Sequence, residues 1–309
     1  MSDGSEPPLA DVALESLTAD DVTEAEVRAA LDADDPVVRQ RGARACAALA
    51  ADRVESILGL ADDLVARTAD ESLAVSRHAA IALTELSDAY PGAVADDLGP
   101  VVDLAESDLG GVRMVGARIL GNVVVEFPEA VAPFVDRLVT AVADSEATLA
   151  QSDLQAYVEQ AESMGGEAAQ AADNIRQETK EEARKRVVAR AALSNVVVAV
   201  AEHDPDAVAG LVDEMTPLVG DEDPNVAGAF LDVFRALAER DPETVAPAVD
   251  AVVDCLDRDS ETLRARAIRT LGFAEATVTV DRLRTVAETD DDEDVRDLAA
   301  ETADYLDSH

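Results

Sequence analysis

The chain contains no tryptophan, and aromatic residues make up only 3% of it. A core built without large rings must be filled by small aliphatic side chains. The hydrophobic content is 48%, mostly Ala, Val and Leu, which suits helices packed closely in layers. Cysteine is scarce. Cys46 and Cys255 lie on separate apolar helical stretches and are expected as two buried free thiols, not a disulfide or a metal pair. Histidine is nearly as scarce: His78, His203 and His309 have no Cys, Asp or Glu at metal-ligand or triad spacing. There is no glycine-rich phosphate loop, and Gly110-Gly111 reads as a turn before a helix. Apolar runs such as Val196–Ala201 fall far short of the ~20 residues that span a bilayer. Met1–Asp20 has neither a basic n-region nor an apolar h-region, so a signal peptide is not expected and the protein is expected to be cytoplasmic.

Positive charge is the largest shortage. Twenty-five basic residues face 66 acidic ones for a net charge of −41, and the only lysines are Lys180 and Lys185. This excludes the broad basic footprint that bare nucleic acid or an anionic membrane requires. A lysine-poor acidic surface fits a very salty cytosol, where self-repulsion is screened to within a few ångströms.

What is present is a repeat. In Gly111–Val123, the residues Val112, Gly116, Leu120 and Val123 share one helical face. A shift of 37 residues back gives Val75, Ala79, Leu83 and Leu86; a second gives Val38, Gly42, Cys46 and Leu49. Each repeat reads as two helices, A and B. Helix A of the first runs over Glu24–Asp32, capped by Thr23, and helix B over Pro36–Ala51. The next pairs are Val54–Arg67 with Leu73–Tyr90, and Gly92–Glu106 with Gly111–Phe127. Pro91, Pro128, Pro205 and Pro242 open further A helices, at the first helical position where the missing N–H costs nothing. A shorter last pair, Thr277–Glu288 and Asp294–Leu306, ends in charge that suits a cap. Residues 1–20 read as a disordered acidic tail.

Arg39, Arg113, Arg186, Arg264 and Arg296 stand at the start of B helices, with an acid five residues earlier at Asp34, Asp108, Asp259 and Asp291. An acidic turn followed by Val-Arg is the pattern of the HEAT repeat family, which the chain resembles from about Glu24 to Leu306. Ser76 and Ala227 depart from it. The resemblance implies an all-α, right-handed α-α superhelix, a solenoid of about seven helix pairs over residues 21–309. It also implies acids that cap helix B and arginines that ladder between repeats. Pro133 and Pro247 fall inside helix A, where such proteins often kink.

The 77 residues from Pro128 to Pro205 exceed one repeat by about 40. The surplus, about 145–183, reads as an inserted helical hairpin. Leu154, Tyr157, Val158, Ala161 and Met164 stripe its first helix, Gly165-Gly166 turns the chain, and the second helix continues unbroken into helix B. One degenerate repeat is the alternative.

No residue reads as catalytic, cofactor-binding or metal-ligating. The run Asp290–Asp294 with Glu301 puts acids at calcium-loop positions, but Val295 stands where that loop needs glycine, so helix capping is the better reading. The di-iron hydroxylases of HEAT-like architecture need His-Glu pairs, which are lacking here. The related DNA glycosylases need a basic channel, and no bilin-lyase motif can be placed. One cationic cluster remains: Arg176, Lys180, Arg184, Lys185, Arg186 and Arg190, interleaved with Glu178, Glu181 and Glu182. Arg176, Lys180 and Arg184, at i, i+4 and i+8, would present three charges along one side of a helix to a protein partner. The expected function is a non-catalytic protein–protein scaffold or adaptor, without cofactor, nucleic acid or membrane as partner. The alternative is a HEAT-like lyase or hydroxylase whose site has no recognisable motif.

Overall fold

The structure is a computed structural model that describes the backbone of residues 7–144 and 167–308, with side chains over 7–144 and 174–308. Every regular element among these residues is a helix. The chain divides into two compact units, Met1–Val131 with Glu182–Ala189, and Ala132–Glu181 with Arg190–His309.

In the first unit, α1 (Glu24–Leu31) and α2 (Pro36–Arg53) form one pair, α3 (Ala61–Thr68) and α4 (Leu73–Ala89) the next, and α5 (Gly99–Ala105) and α6 (Gly110–Glu126) the third. The four-residue α7 (Pro128–Val131) follows. Thr23 and Glu26 close a reciprocal capping box at the start of α1. The repeated apolar face is the core: Val75, Ala79, Leu83 and Leu86 have no exposed surface, and Gly116, Leu120 and Val123 are also buried. Val38 and Val112 are half-buried, whereas Val75 at the equivalent first-turn position is fully buried. Close approach of helix A to helix B requires glycine. A Cβ on Gly116 would stand 2.5 Å from the Ala105 backbone nitrogen, and one on Gly42 2.9 Å from that of Leu31.

The second unit holds α8 (Val135–Asp144) and most of the 37-residue α9 (Glu167–His203). Three pairs follow: α10 (Val212–Val219) with α11 (Pro224–Arg240), α12 (Val249–Asp254) with α13 (Glu261–Phe273), and α14 (Val280–Thr289) with α15 (Glu293–Asp307). Most A helices open in a tight 3-10 turn, including Ala132–Phe134 and Pro242–Ala248 around the expected kinks at Pro133 and Pro247. Val54–Leu60 does so without proline. α9 runs unbroken from Glu167; the other half of the expected hairpin, with Leu154 and Met164, lies outside the described residues.

Arginines do ladder between repeats: Arg39 and Arg264 stand four residues after a B-helix N-cap, Arg190 lies within the long helix α9, and each rung acid, Asp70, Asp221 or Asp290, stands two residues before the next B-helix N-cap. Arg39 grips Asp70 with two N–H groups at 2.7 and 3.1 Å, Arg264 grips Asp290 at 2.7 and 2.8 Å, and Arg190 grips Asp221 in the same forked manner, at 2.8 Å through Nη1. The same guanidinium caps the carbonyls that end helix A: Ala33 and Asp34 for Arg39, Val142 for Arg190, and Arg258 and Asp259 for Arg264. Each aspartate also accepts the N–H of the residue two further on. The arginines hold the Asp70 and Asp290 carboxyls below the usual carboxylate range, chiefly through these side-chain hydrogen bonds. Where the arginine is replaced, so is the acid. Ser76 would face Ser107 and Ala227 would face Arg258, and Arg258 instead reaches back to the carbonyls of Gly220 and Asp221.

Three expectations are corrected. Arg190, not Arg186, is the rung arginine of the fourth repeat, because the insertion displaces the start of helix B in sequence; Arg186 donates to the Asp108 carbonyl at 2.7 Å. The helix B caps are not Asp34, Asp259 and Asp291 but the next residues, Asp35, Ser260 and Asp292, whose side chains accept from the first turn. Finally, residues 7–20 are not a free tail. Leu9, Leu14 and Leu17 are buried, and Arg41 donates to the carbonyls of Leu9, Ala10 and Val12. Three leucines bury enough apolar surface to hold a segment whose composition is otherwise acidic.

Candidate interaction surface

The cationic cluster of α9 is partly consumed by the fold. Lys185 pairs with Glu182 at 3.2 Å, Arg186 holds the Asp108 carbonyl, and Arg190 forms a buried rung. Gly110 belongs to this packing: a Cβ there would stand 2.6 Å from the Glu182 carbonyl oxygen, so the Gly110-Gly111 pair serves helix packing. Arg176 is half-buried, while Lys180 and Arg184 are exposed. All three lie on the continuous helix α9, Arg176 and Lys180 within the second unit and Arg184 within the first.

Stacking also assembles a row that single-helix spacing cannot reveal. Arg44, Ile81 and Arg118 each stand nine residues after the N-cap of α2, α4 and α6, and all are exposed. In the second unit, α13 and α15 border a groove of about 620 Å³ whose walls include Phe273, Leu298, Tyr305, Arg269 and Glu301.

The remaining candidates are occupied structurally. Cys46 and Cys255 are buried, and desolvation pushes their thiols up to about 12 and about 11, so neither is poised as a nucleophile. His78 Nδ1 lies 2.7 Å from the Ala74 carbonyl one turn earlier. Within the acidic run, Asp290 is the rung acid and Asp292 the cap of α15, and Val295 is buried in that helix. Among the described residues no helix is long and apolar enough to cross a membrane.

No protein-family model matches the chain, and no curated protein does either. Solved structures do. An archaeal HEAT-like repeats protein from Thermococcus onnurineus NA1 superposes with a TM-score of 0.52 at 12% identity, over 93% of this chain and 98% of that one. An engineered protein gives 0.46 at 19% identity, over 91% of this chain and 78% of that one. A designed armadillo repeat protein gives 0.36 at 14%, over 91% and 98%. The 37-residue register, the helix pairs and the likeness to the archaeal protein together give this chain the fold of a HEAT-like α-solenoid.

Proposed function

We propose that this HEAT-like chain is a non-catalytic scaffold that holds a protein partner in the cytoplasm, at high salt and without a cofactor. The supporting observation is the division of labour on α9. Lys185, Arg186 and Arg190 serve the fold, and Arg176, Lys180 and Arg184 follow one another at i, i+4 and i+8 on the same helix, Lys180 and Arg184 exposed, in a chain of net charge −41. An acidic patch on a partner protein is the chemistry such a row fits. Replacing all three with Glu should abolish co-purification of that partner from a native high-salt lysate, read by mass spectrometry. Helicity and melting temperature should stay nearly unchanged. Retention of every wild-type partner would reduce the row to a solvated helix face.

The high-salt setting is supported by the 66 acids and the near absence of lysine. Lowering salt lengthens the screening distance from ~3 Å at 1 M to ~10 Å at 0.1 M and turns on repulsion among the acids. The melting temperature should fall by about 10 °C across that range, measured by circular dichroism. A flat profile would remove the argument for a salty compartment.

A further inference from the structure

The B helices of the first unit carry charge of the opposite sign to the rest of the chain. Together α2, α4 and α6 hold seven arginines against four acids, a net of +3 in a chain of −41. The acids, Asp52, Glu85, Asp88 and Glu126, all fall in the last five residues of their helices. That is the end where the helix dipole disfavours them, so helix stability does not explain the placement. Its effect is an acid-free stretch along most of each helix.

On the outward face of that stretch stand Arg44, Ile81 and Arg118 in one row, with Arg77 one turn before Ile81. Neighbouring B helices packed ~8–10 Å apart set the pitch of the row. All four residues are exposed, and among the described residues Arg77 and Arg118 form no ion pair. Among the described residues, Arg44 approaches Glu15 at 3.9 Å, whose own side chain is 91% exposed. Apolar surface is interleaved: Val37 is 69% exposed, Ile81 41% and Val125 79%. Small residues leave room between, and a Cβ on Gly121 would meet nothing within 4 Å. The molecule shows how such a face holds a chain. Residues 9–17, which include the 3-10 turn Leu14–Ser16, lie against α2 with three leucines buried, and the carbonyls of Leu9, Ala10 and Val12 accept from Arg41.

We propose that the outward face of α2, α4 and α6 is a docking surface for an acidic segment of a partner protein, with apolar residues between its carboxylates. Guanidinium forks match carboxylates two bonds at a time, and contact pairs of this kind survive salt that screens longer-range attraction. A nucleic acid fits less well. The three helices contain no Phe, Tyr or Trp on which bases could stack, and the −41 chain repels a polyanion. This reading uses other residues than the α9 row and goes beyond the scaffold reading; it is tested with a purified probe, so the two stand or fall separately.

The probe is a fluorescein-labelled peptide, Gly-Glu-Leu-Asp-Glu-Leu-Leu-Glu-Asp-Leu-Gly, titrated with the full chain by fluorescence anisotropy in about 2 M NaCl. Its amide counterpart, with Gln and Asn for Glu and Asp, and a labelled oligothymidylate are the comparisons. The acidic peptide should bind, the amide peptide at least about tenfold more weakly, and the oligothymidylate more weakly still. Changing Arg44, Arg77 and Arg118 together to Glu should weaken the acidic peptide by about 100-fold, and Ile81→Ala by several-fold. Because these side chains are exposed, both variants should keep the wild-type melting temperature. An equal affinity for wild type and the triple variant would overturn the assignment, as would no binding at about 1 mM protein. Tighter binding of the oligothymidylate than of the peptide would overturn it in favour of a nucleic-acid surface.

Discussion

Asp221→Ala should lower stability by about 3–5 kcal/mol, the range for removing one partner of a buried ion pair. Its carboxylate takes two guanidinium N–H groups from Arg190 and the backbone N–H of Asp223. The two side chains are only 9% and 2% exposed. Without the carboxylate, Arg190 keeps one carbonyl, that of Val142, and its charge stays buried in a place water cannot reach. Urea titration in molar NaCl, followed by circular dichroism, measures the loss. The paired change Arg190→Met with Asp221→Leu should recover most of it, since two apolar groups leave no buried charge behind. A single-variant loss under about 0.5 kcal/mol would mean that the rungs contribute little to holding repeats together.

Leu120→Ala should cost about 2–5 kcal/mol, the usual range for truncating a fully buried leucine. Leu120 has no exposed surface and sits at the centre of the third repeat's apolar face, between Gly116 and Val123. The close helix crossing at Gly116 leaves the backbone little freedom to collapse into the space. Val112→Ala, on the same face but half-buried in the first turn, should cost clearly less by the same urea titration. Equal losses at the two positions would mean that burial does not follow the 37-residue register.

Most of the fold was legible because the repeat is written in apolar periodicity. Val75, Ala79, Leu83 and Leu86 state a helical face directly, and a prolyl residue at the first helical position marks each of four A helices. The rungs were harder. Arg39 and Asp70 lie 31 residues apart, and nothing local in the sequence distinguishes Asp70 from its neighbour Glu71. The insertion then moved the fourth rung from Arg186 to Arg190, since counting from a turn signal fails where the turn is replaced by a long helix. At the N-terminus, acidic composition hid three leucines whose burial decides the outcome. The α9 row could be read because its members are one turn apart. The row of Arg44 and Arg118 could not, because it exists only once three helices stack.

The central claim, a chain of helix pairs in one register, is tested most directly by hydrogen–deuterium exchange of the full protein in molar salt. The account predicts exchange maxima at the A–B turns, residues 32–35, 69–72, 106–109 and 220–223, with strong protection through the middles of α2, α4, α6 and α11. Fast exchange across the centre of α4 or α6, or protected turns at those positions, would contradict it.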